Sequence, residues 1–158
     1  MSEKKPKIIR ILLIENSKDY HAELPRLLNA SHPGATQVVC AGCIEEAIGM
    51  LGSETYDVII VDIELYHCPP DEKEFIQLRV ALDYHGISIW HYLTQTGQKR
   101  NFKRKKLFLS NMNELLVTPF IEKYVPKPYV FENKKLGTTK TCLFIIRWLI
   151  QNQILNKK

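Results

Sequence analysis

Two short apolar runs, each followed directly by an acidic residue, constrain the fold of this chain more than any other feature. Ile8 to Ile14 is interrupted only by Arg10 and is followed by Glu15, and Val58 to Val61 is followed by Asp62. Short runs of β-branched residues and leucine are typical of parallel strands that helices cover on both faces. The two runs therefore predict an α/β protein built on a parallel sheet.

The remaining chain alternates between strand and helix patterns. A helix begins near Ser17, where Ser17 and Asp19 provide helix-start chemistry, and Pro33 with Gly34 ends it. Further strands are predicted at 37–40, 106–110 and 124–126, and further helices at 45–51, 72–82, 87–93, 113–120 and 138–156. This alternation predicts a single domain over residues 1–158 with a doubly wound, five-stranded parallel sheet in the order 2-1-3-4-5.

Composition and the lengths of the apolar runs indicate where in the cell the protein is expected to occur. The chain is 45% apolar and 25% charged, which is typical of a globular protein. The longest membrane candidate, 143–150, contains Arg147 and is far shorter than the about 20 residues that a spanning helix needs. The apolar run from Ile8 ends at Glu15 without a small-residue cleavage site, so no secretory signal is predicted. We therefore expect a cytoplasmic protein whose four cysteines are reduced thiols.

Charge is distributed unevenly along the chain. Residues 1–98 carry 8 Lys and Arg against 14 Asp and Glu, whereas residues 99–158 carry 14 against 3. The change falls at a basic run over 99–106, in which six of eight residues are Lys or Arg. Such a run is most often a solvated loop, but contact with nucleic acid or an anionic surface is the alternative.

Polar residues follow several of the predicted strands. They are Glu15 and Asn16, Asp62, Ser110, and Lys127. Because the carboxyl ends of parallel strands lie at one edge of the sheet, these side chains are expected to converge there. A carboxylate nucleophile, oxygen ligands for a hard cation, a lysine and a hydroxyl form the set that an aspartyl phosphate requires.

Four segments that carry these residues resemble the response-regulator receiver family, whose fold is CheY-like and flavodoxin-like. They are RILLIEN, EEAIGMLGSETYDVIIVDIEL, KLFLSN and EKYVPKP, and the resemblance covers roughly residues 8–156. The resemblance implies that Asp62 is the phosphoacceptor, Lys127 the phosphate-binding lysine and Ser110 the switch hydroxyl. It also implies an aromatic switch at Tyr124, three residues before the lysine, and a cis peptide bond between Lys127 and Pro128.

The resemblance further implies a divalent cation, Mg²⁺, held by Glu15, Asn16 and Asp62. Asn16 occupies a position where the family usually has an aspartate, so one negative charge is missing and Mg²⁺ binding should be weak.

One departure from the family's pattern concerns spacing. Gly86, which best matches the family's glycine after the phosphoacceptor loop, lies far along the chain from Asp62, so we expect an insertion at about 66–82. An alternative register would place Thr94 at the hydroxyl position. We prefer Ser110, because Leu107 to Leu109 is apolar like a central strand.

Two functions remain after common enzyme motifs are considered. Glycine-rich nucleotide loops and the G-x-S-x-G motif do not occur in the sequence, so we predict no enzyme and no organic cofactor. The first function is a stand-alone atypical receiver in two-component signal transduction, acting through protein–protein interaction with weakened or absent phosphorylation at Asp62. The alternative is a phosphorylatable single-domain response regulator. Expected partners are a histidine kinase, a phosphotransfer protein or a second copy of the chain.

Overall fold

Strands and helices alternate along the chain as predicted. The computed structural model describes residues 6–65 and 85–157. Its elements are β1 (Ile9–Ile14), α1 (Lys18–Ser31), β2 (Thr36–Ala41), α2 (Ile44–Ser53), β3 (Val58–Asp62), α3 (His85–Gln95), β4 (Lys105–Ser110), α4 (Glu114–Tyr124), β5 (Tyr129–Asn133) and α5 (Thr138–Gln151). The predicted insertion at about 66–82 and the predicted helix at 72–82 lie outside the described residues.

All neighbouring strands of the sheet are parallel, and their order is β2-β1-β3-β4-β5. This confirms the predicted doubly wound α/β fold and its strand order. In the register, Ile14 lies beside Val61, Asp62 beside Leu109, and Ser110 beside Asn133. The carboxyl ends of β1, β3, β4 and β5 therefore lie side by side at one edge.

Two apolar cores, one on each face of the sheet, explain why the central strands are apolar throughout. In β3, Val58 and Ile60 belong to the core beneath α1 and α5, whereas Ile59 and Val61 belong to the core beneath α2, α3 and α4. Successive side chains of a strand point to opposite faces. Because both faces are covered, every position of β3 is buried.

The last strand differs from the prediction. The sequence predicts this strand at 124–126, but β5 spans Tyr129–Asn133 and Tyr124 is the last residue of α4. Pro126 and Pro128 lack the N–H groups that a paired strand donates, so the ladder begins only after them. The Lys127–Pro128 peptide bond is cis, as the resemblance implied, but it precedes the strand instead of following it.

Lys106 belongs to the basic run in sequence but is fully buried in the structure. Its Nζ donates to the carbonyl oxygens of Phe102 at 2.6 Å, Arg104 at 2.9 Å and Pro126 at 2.8 Å, and lies 5.0 Å from the ring centroid of Trp90. Burial lowers the pKa of Lys106 to about 8. Lys106 thus joins the loop before β4 to the loop before β5, while the other basic residues of the run are exposed.

Among the described cysteines, the prediction of reduced thiols is wrong for Cys43. Cys43 is disulfide-bonded, whereas Cys40 and Cys142 are free. Burial raises the pKa of the Cys142 thiol to about 12, which keeps this thiol protonated and unreactive at neutral pH.

The sequence predicts no membrane-spanning helix. Across residues 6–65 and 85–157, no helix is long and apolar enough to cross a membrane.

Candidate functional site

Asp62 lies at the carboxyl end of β3 and is buried, with 3% of its surface exposed. Its Oδ2 lies 3.1 Å from Nζ of Lys134, and its Oδ1 accepts a hydrogen bond of 3.0 Å from the backbone N–H of Glu64. The same Nζ lies 3.0 Å from Oε2 of Glu15, which directly follows β1. Two buried carboxylates therefore share one ammonium group.

The protonation of this cluster follows from its burial. Desolvation and the nearby charge of Glu15 raise the pKa of Asp62 to about 7, although Lys134 and the N–H of Glu64 act in the opposite direction. Desolvation also lowers the pKa of Lys134, but the charges of Asp62 and Glu15 outweigh it, so that the pKa lies above its ordinary value. The ammonium is thus retained, and the site carries an excess of acidic groups.

Lys134, and not Lys127, is the lysine that the fold brings to Asp62. Lys134 follows β5 directly, and its backbone N–H donates to the carbonyl oxygen of Ser110 at 2.9 Å. Its Nζ also lies 5.2 Å from the ring centroid of Tyr20 on α1, a favourable contact for a cation. Lys127 is exposed and precedes β5, so it lies at the opposite edge of the sheet.

Tyr124, the predicted aromatic switch residue, does not lie on the last strand. The Tyr124 ring packs edge-to-face on His91 of α3, with ring centroids 4.8 Å apart, and does not belong to β5. Three residues before Lys134, the position that corresponds to the aromatic switch, is Phe131 in β5. Phe131 is half-buried against the core beneath α2, α3 and α4.

Ser110 is the last residue of β4 and is fully buried, as the preferred register required. Its Oγ donates to Oε1 of Glu64 at 2.9 Å and accepts from the backbone N–H of Met112 at 2.9 Å. Thr94, the alternative, lies on α3, and its Oγ1 donates to the carbonyl oxygen of Trp90.

Gly86 lies against the backbone of β3 even though it is distant in sequence. Its N–H donates to the carbonyl oxygen of Ile63 at 3.1 Å, and a Cβ at this position would lie 2.4 Å from the carbonyl oxygen of Asp62. A side chain at this position would push directly on the backbone of the acidic residue. The match of Gly86 to a glycine near the phosphoacceptor is therefore consistent with its position in space.

A divalent cation would find two carboxylates at this edge, those of Glu15 and Asp62. Hard cations prefer such oxygen ligands, and a positive ion would offset the charge repulsion that raises the pKa of Asp62. Asn16 is exposed beside Glu15 and offers a neutral amide oxygen. Within the part of the chain that the structure describes, no three His, Cys, Asp or Glu side chains form a metal-binding group. The donors that a cation would meet here are therefore two carboxylates and one neutral amide oxygen.

Sequence reasoning missed two residues of the site. Lys134 could have been found from the sequence, because it follows YVFEN, a short segment that begins after Pro128 with the aromatic and β-branched residues typical of strands. Glu64 carried none, since its contact with Ser110 joins residues 46 positions apart.

Comparisons with solved structures identify the fold. A CheY-like receiver domain protein from Methanospirillum hungatei JF-1 superposes with a TM-score of 0.58 at 16% identity, covering 94% of this chain and 98% of that chain. CheY4 of Vibrio cholerae gives a TM-score of 0.60 at 14% identity, covering 90% and 99%. A Burkholderia pseudomallei response regulator, solved with a phosphorylated aspartic acid, a calcium ion and citrate, gives 0.56 at 17% identity, covering 92% and 71%.

The fold is that of response-regulator receiver domains. No protein-family model matches the chain, and no curated protein matches it. At identities below 25%, the likeness to these structures concerns the fold, and the function must be argued from the site.

Proposed function

We propose that this chain is an atypical receiver domain that signals by contact with another protein, with phosphorylation of Asp62 weakened or absent. The observation that carries the receiver role is the meeting of Asp62, Lys134 and Ser110 at the carboxyl edge of the sheet. A carboxylate nucleophile, an ammonium and a hydroxyl are the groups that accept and then bind a phosphoryl group. The proposed role is non-enzymatic and cytoplasmic, and one domain over residues 1–158 performs it.

The proposed chemistry is a phosphoryl transfer. A carboxylate oxygen of Asp62 forms a bond to phosphorus while the phosphorus–nitrogen bond of a partner's phosphohistidine breaks. The imidazole nitrogen leaves with the electron pair. Lys134 and Ser110 would bind oxygens of the transferred group. A bound Mg²⁺ would supply charge neutralisation for those oxygens, with Glu15, Asn16 and Asp62 as its ligands.

The neutral side chain of Asn16 supports the atypical form of this proposal, in which phosphorylation of Asp62 is weakened or absent. An acidic pair together with Asp62 would present three carboxylates to the cation, whereas here Glu15 and Asp62 present two and Asn16 a neutral oxygen. The two oxygens of Glu15 already accept from the N–H of Ser17 and from Lys134. Weak cation binding would slow phosphoryl transfer, because the charge on the transferring oxygens would be poorly neutralised.

Exposed apolar side chains support a protein-binding role. Leu115 and Leu116, adjacent at the start of α4, are 81% and 57% exposed. Val130 on β5 and Leu143 on α5 are also exposed. Large exposed apolar groups favour contact with another protein, here proposed to be a histidine kinase, a phosphotransfer protein or a second copy of the chain.

A phosphorylatable response regulator is the second candidate. It is favoured by the Lys134–Asp62 ion pair and by the buried Ser110 hydroxyl, since neither is needed for a pure interaction module.

Phosphoprotein formation with a small acyl phosphate and Mg²⁺ separates the two candidates. Wild type, Asp62→Asn and Asn16→Asp are compared. The atypical form is supported by little labelling of wild type, and more in Asn16→Asp. Efficient labelling of wild type that Asp62→Asn abolishes would overturn the atypical form in favour of the second candidate. If no variant is labelled, phosphotransfer is lost from both forms, and the interaction role alone remains.

A further inference from the structure

A third carboxylate, that of Glu64, lies between Asp62 and Ser110 and has no part in the chemistry described so far. Its backbone N–H donates to Oδ1 of Asp62 at 3.0 Å. Its side chain extends to the end of β4, where Oε1 accepts from Oγ of Ser110 at 2.9 Å and from the backbone N–H of Asn111 at 3.2 Å. One residue therefore contacts both the nucleophile and the hydroxyl of the site.

The hydrogen bonds of Ser110 leave it no second proton to donate. A serine hydroxyl has one proton, and that proton is given to Glu64. The oxygen of the same hydroxyl accepts from the N–H of Met112 at 2.9 Å. Ser110 is fully buried, so water does not compete freely for it. A phosphoryl oxygen on Asp62 can bind this hydroxyl only after Glu64 has released it.

We propose that the Glu64 carboxylate occupies the donors of Ser110 and Asn111 in place of a phosphoryl oxygen, so that phosphorylation of Asp62 requires its displacement. This inference rests on the proposed function, since it concerns the same site. A carboxylate oxygen and a phosphoryl oxygen are both anionic acceptors and suit the same donors. Glu64 is thus a positioning residue that holds the switch hydroxyl while Asp62 is unphosphorylated.

Two physical costs follow for an incoming phosphoryl group. Two hydrogen bonds to a charged acceptor must break, and the freed carboxylate then lies near a second anion. Both costs disappear when Glu64 loses its side chain. Glu64→Ala should therefore bind a phosphoryl analogue about tenfold more tightly, a change of about 1.4 kcal/mol, which is close to the lower end of the range for one hydrogen bond to a charged group.

The test is a titration with beryllofluoride, a phosphoryl analogue, in excess Mg²⁺, followed through the amide NMR signals of Ser110 and Asn111. Wild type, Glu64→Ala and Glu64→Gln are compared, each also in the Asn16→Asp background, so that weak cation binding does not limit the result. Glu64→Gln should fall between the other two, because its amide oxygen accepts from Ser110 without a charge. If Glu64→Ala does not fold, the comparison of Glu64→Gln with wild type provides the test.

Two controls separate the hydrogen bond from a general charge effect. Glu114→Ala removes an exposed carboxylate from the first turn of α4, at the same edge of the sheet, and should leave the affinity unchanged. In a Ser110→Ala background, the gain from Glu64→Ala should be smaller than in the presence of Ser110, because one of the two donors that Glu64 occupies is gone.

The outcomes distinguish this inference from the proposed function. Equal binding by wild type and the Glu64 variants would overturn the inference and leave the receiver proposal intact. An equal gain in Glu114→Ala, or a gain from Glu64→Ala that is just as large without Ser110, would also overturn it, because charge alone would then explain the result. Absence of binding in every variant, including those with Asn16→Asp, would overturn the inference and the phosphorylatable candidate, and would leave the interaction role alone.

Discussion

Nζ of Lys134 lies 3.1 Å from Oδ2 of Asp62 although one whole strand separates the strands that carry them. Asp62 ends β3 and Lys134 follows β5, so the lysine side chain crosses the end of β4. Two strand spacings amount to about 9.6 Å, and the extended lysine side chain, the aspartate side chain and the contact between them cover this distance together. The backbone hydrogen bond from Lys134 to Ser110 fixes the start of that side chain beside β4.

Lys134→Ala should destabilise the protein by about 2 kcal/mol at pH 7, because Glu15 and Asp62 then lose their shared counter-charge. The loss is smaller than the about 3–5 kcal/mol of a fully buried pair, since Asp62 can take up a proton. Urea unfolding measures the change. Lys127→Ala is the matched control, and as an exposed substitution it should stay within about 0.5 kcal/mol of wild type. Equal losses in the two variants would contradict the assignment of Lys134 to the site.

The sequence predicted the ends of β1, β3 and β4 because their signal is local. Each has a run of apolar residues that is buried on both faces, and a polar residue marks where the run stops. The end of β5 was missed because this edge strand is only half-buried and lacks such a run. The Lys127–Pro128 pair was a misleading local match, and only pairing with β4 shows where the strand begins.

The contacts of Glu64 illustrate the other limit of prediction from sequence. Its distance from Ser110 along the chain gives no periodicity or motif, and the contact exists only because β3 and β4 are neighbours. Gly86 is intermediate between these cases. The residue type suggested a tight approach, but the backbone that it approaches is known only from the fold.

Gly86→Ala should destabilise the protein by about 1–3 kcal/mol, because the added Cβ would lie 2.4 Å from the carbonyl oxygen of Asp62 and would force the backbone to shift. Gly49→Ala on α2 is the matched control. A Cβ at Gly49 meets no atom within 4 Å, so alanine should stabilise this helix by about 0.5–1 kcal/mol. Thermal unfolding of both variants checks the opposite signs. A neutral Gly86→Ala would show that the close approach is relieved without cost.

Lys106 should make stability depend on pH in the alkaline range. Its pKa is about 8 in the folded protein against about 10.4 in an unfolded chain. Between these values the unfolded state binds more protons, so the contribution of Lys106 to the free energy of unfolding rises with pH. The total gain is at most on the order of 3 kcal/mol, because carbonyl hydrogen bonds favour the charged form and reduce the shift.

The measurement for Lys106 is urea unfolding of wild type and Lys106→Met at several pH values from 7.5 to about 10.5. The advantage of wild type over the variant should increase across this range, and groups common to both proteins cancel. Lys105→Met, at the exposed neighbouring position, should show no such increase. A difference between wild type and Lys106→Met that stays constant with pH would contradict a lowered pKa.

Salt dependence distinguishes the two interpretations of the exposed part of the basic run, a solvated loop and a segment that binds a polyanion. Lys99, Arg100, Lys103 and Arg104 are exposed in the loop before β4, at the edge of the sheet opposite Asp62. Each phosphate neutralised on duplex DNA contributes about −0.9 to the slope of log affinity against log salt. Replacing the four residues with glutamine should therefore flatten the slope by about 3.6 if all four contact phosphates.

Fluorescence anisotropy with a labelled duplex, and sedimentation with vesicles containing anionic lipid, measure this binding at several salt concentrations. Lys140→Gln with Arg147→Gln serves as the control, because both residues are exposed on α5 and lie outside the run. If the four-residue variant keeps the affinity and slope of wild type, the run is a solvated loop.

Asn16→Asp should strengthen Mg²⁺ binding about tenfold or more, because it adds a third carboxylate beside Glu15 and Asp62. Two charges of opposite sign about 4 Å apart interact by roughly 4 kcal/mol near a protein surface, and desolvation consumes part of this gain. Isothermal titration calorimetry at constant ionic strength measures the affinity. Asn113→Asp is the matched control: it adds the same charge at the same edge of the sheet, and aspartate preserves the cap that Asn113 gives to α4. Equal gains in the two variants would show that only the general field had changed, whereas a gain confined to Asn16→Asp would identify Asn16 as a ligand position and the missing charge as the cause of weak binding.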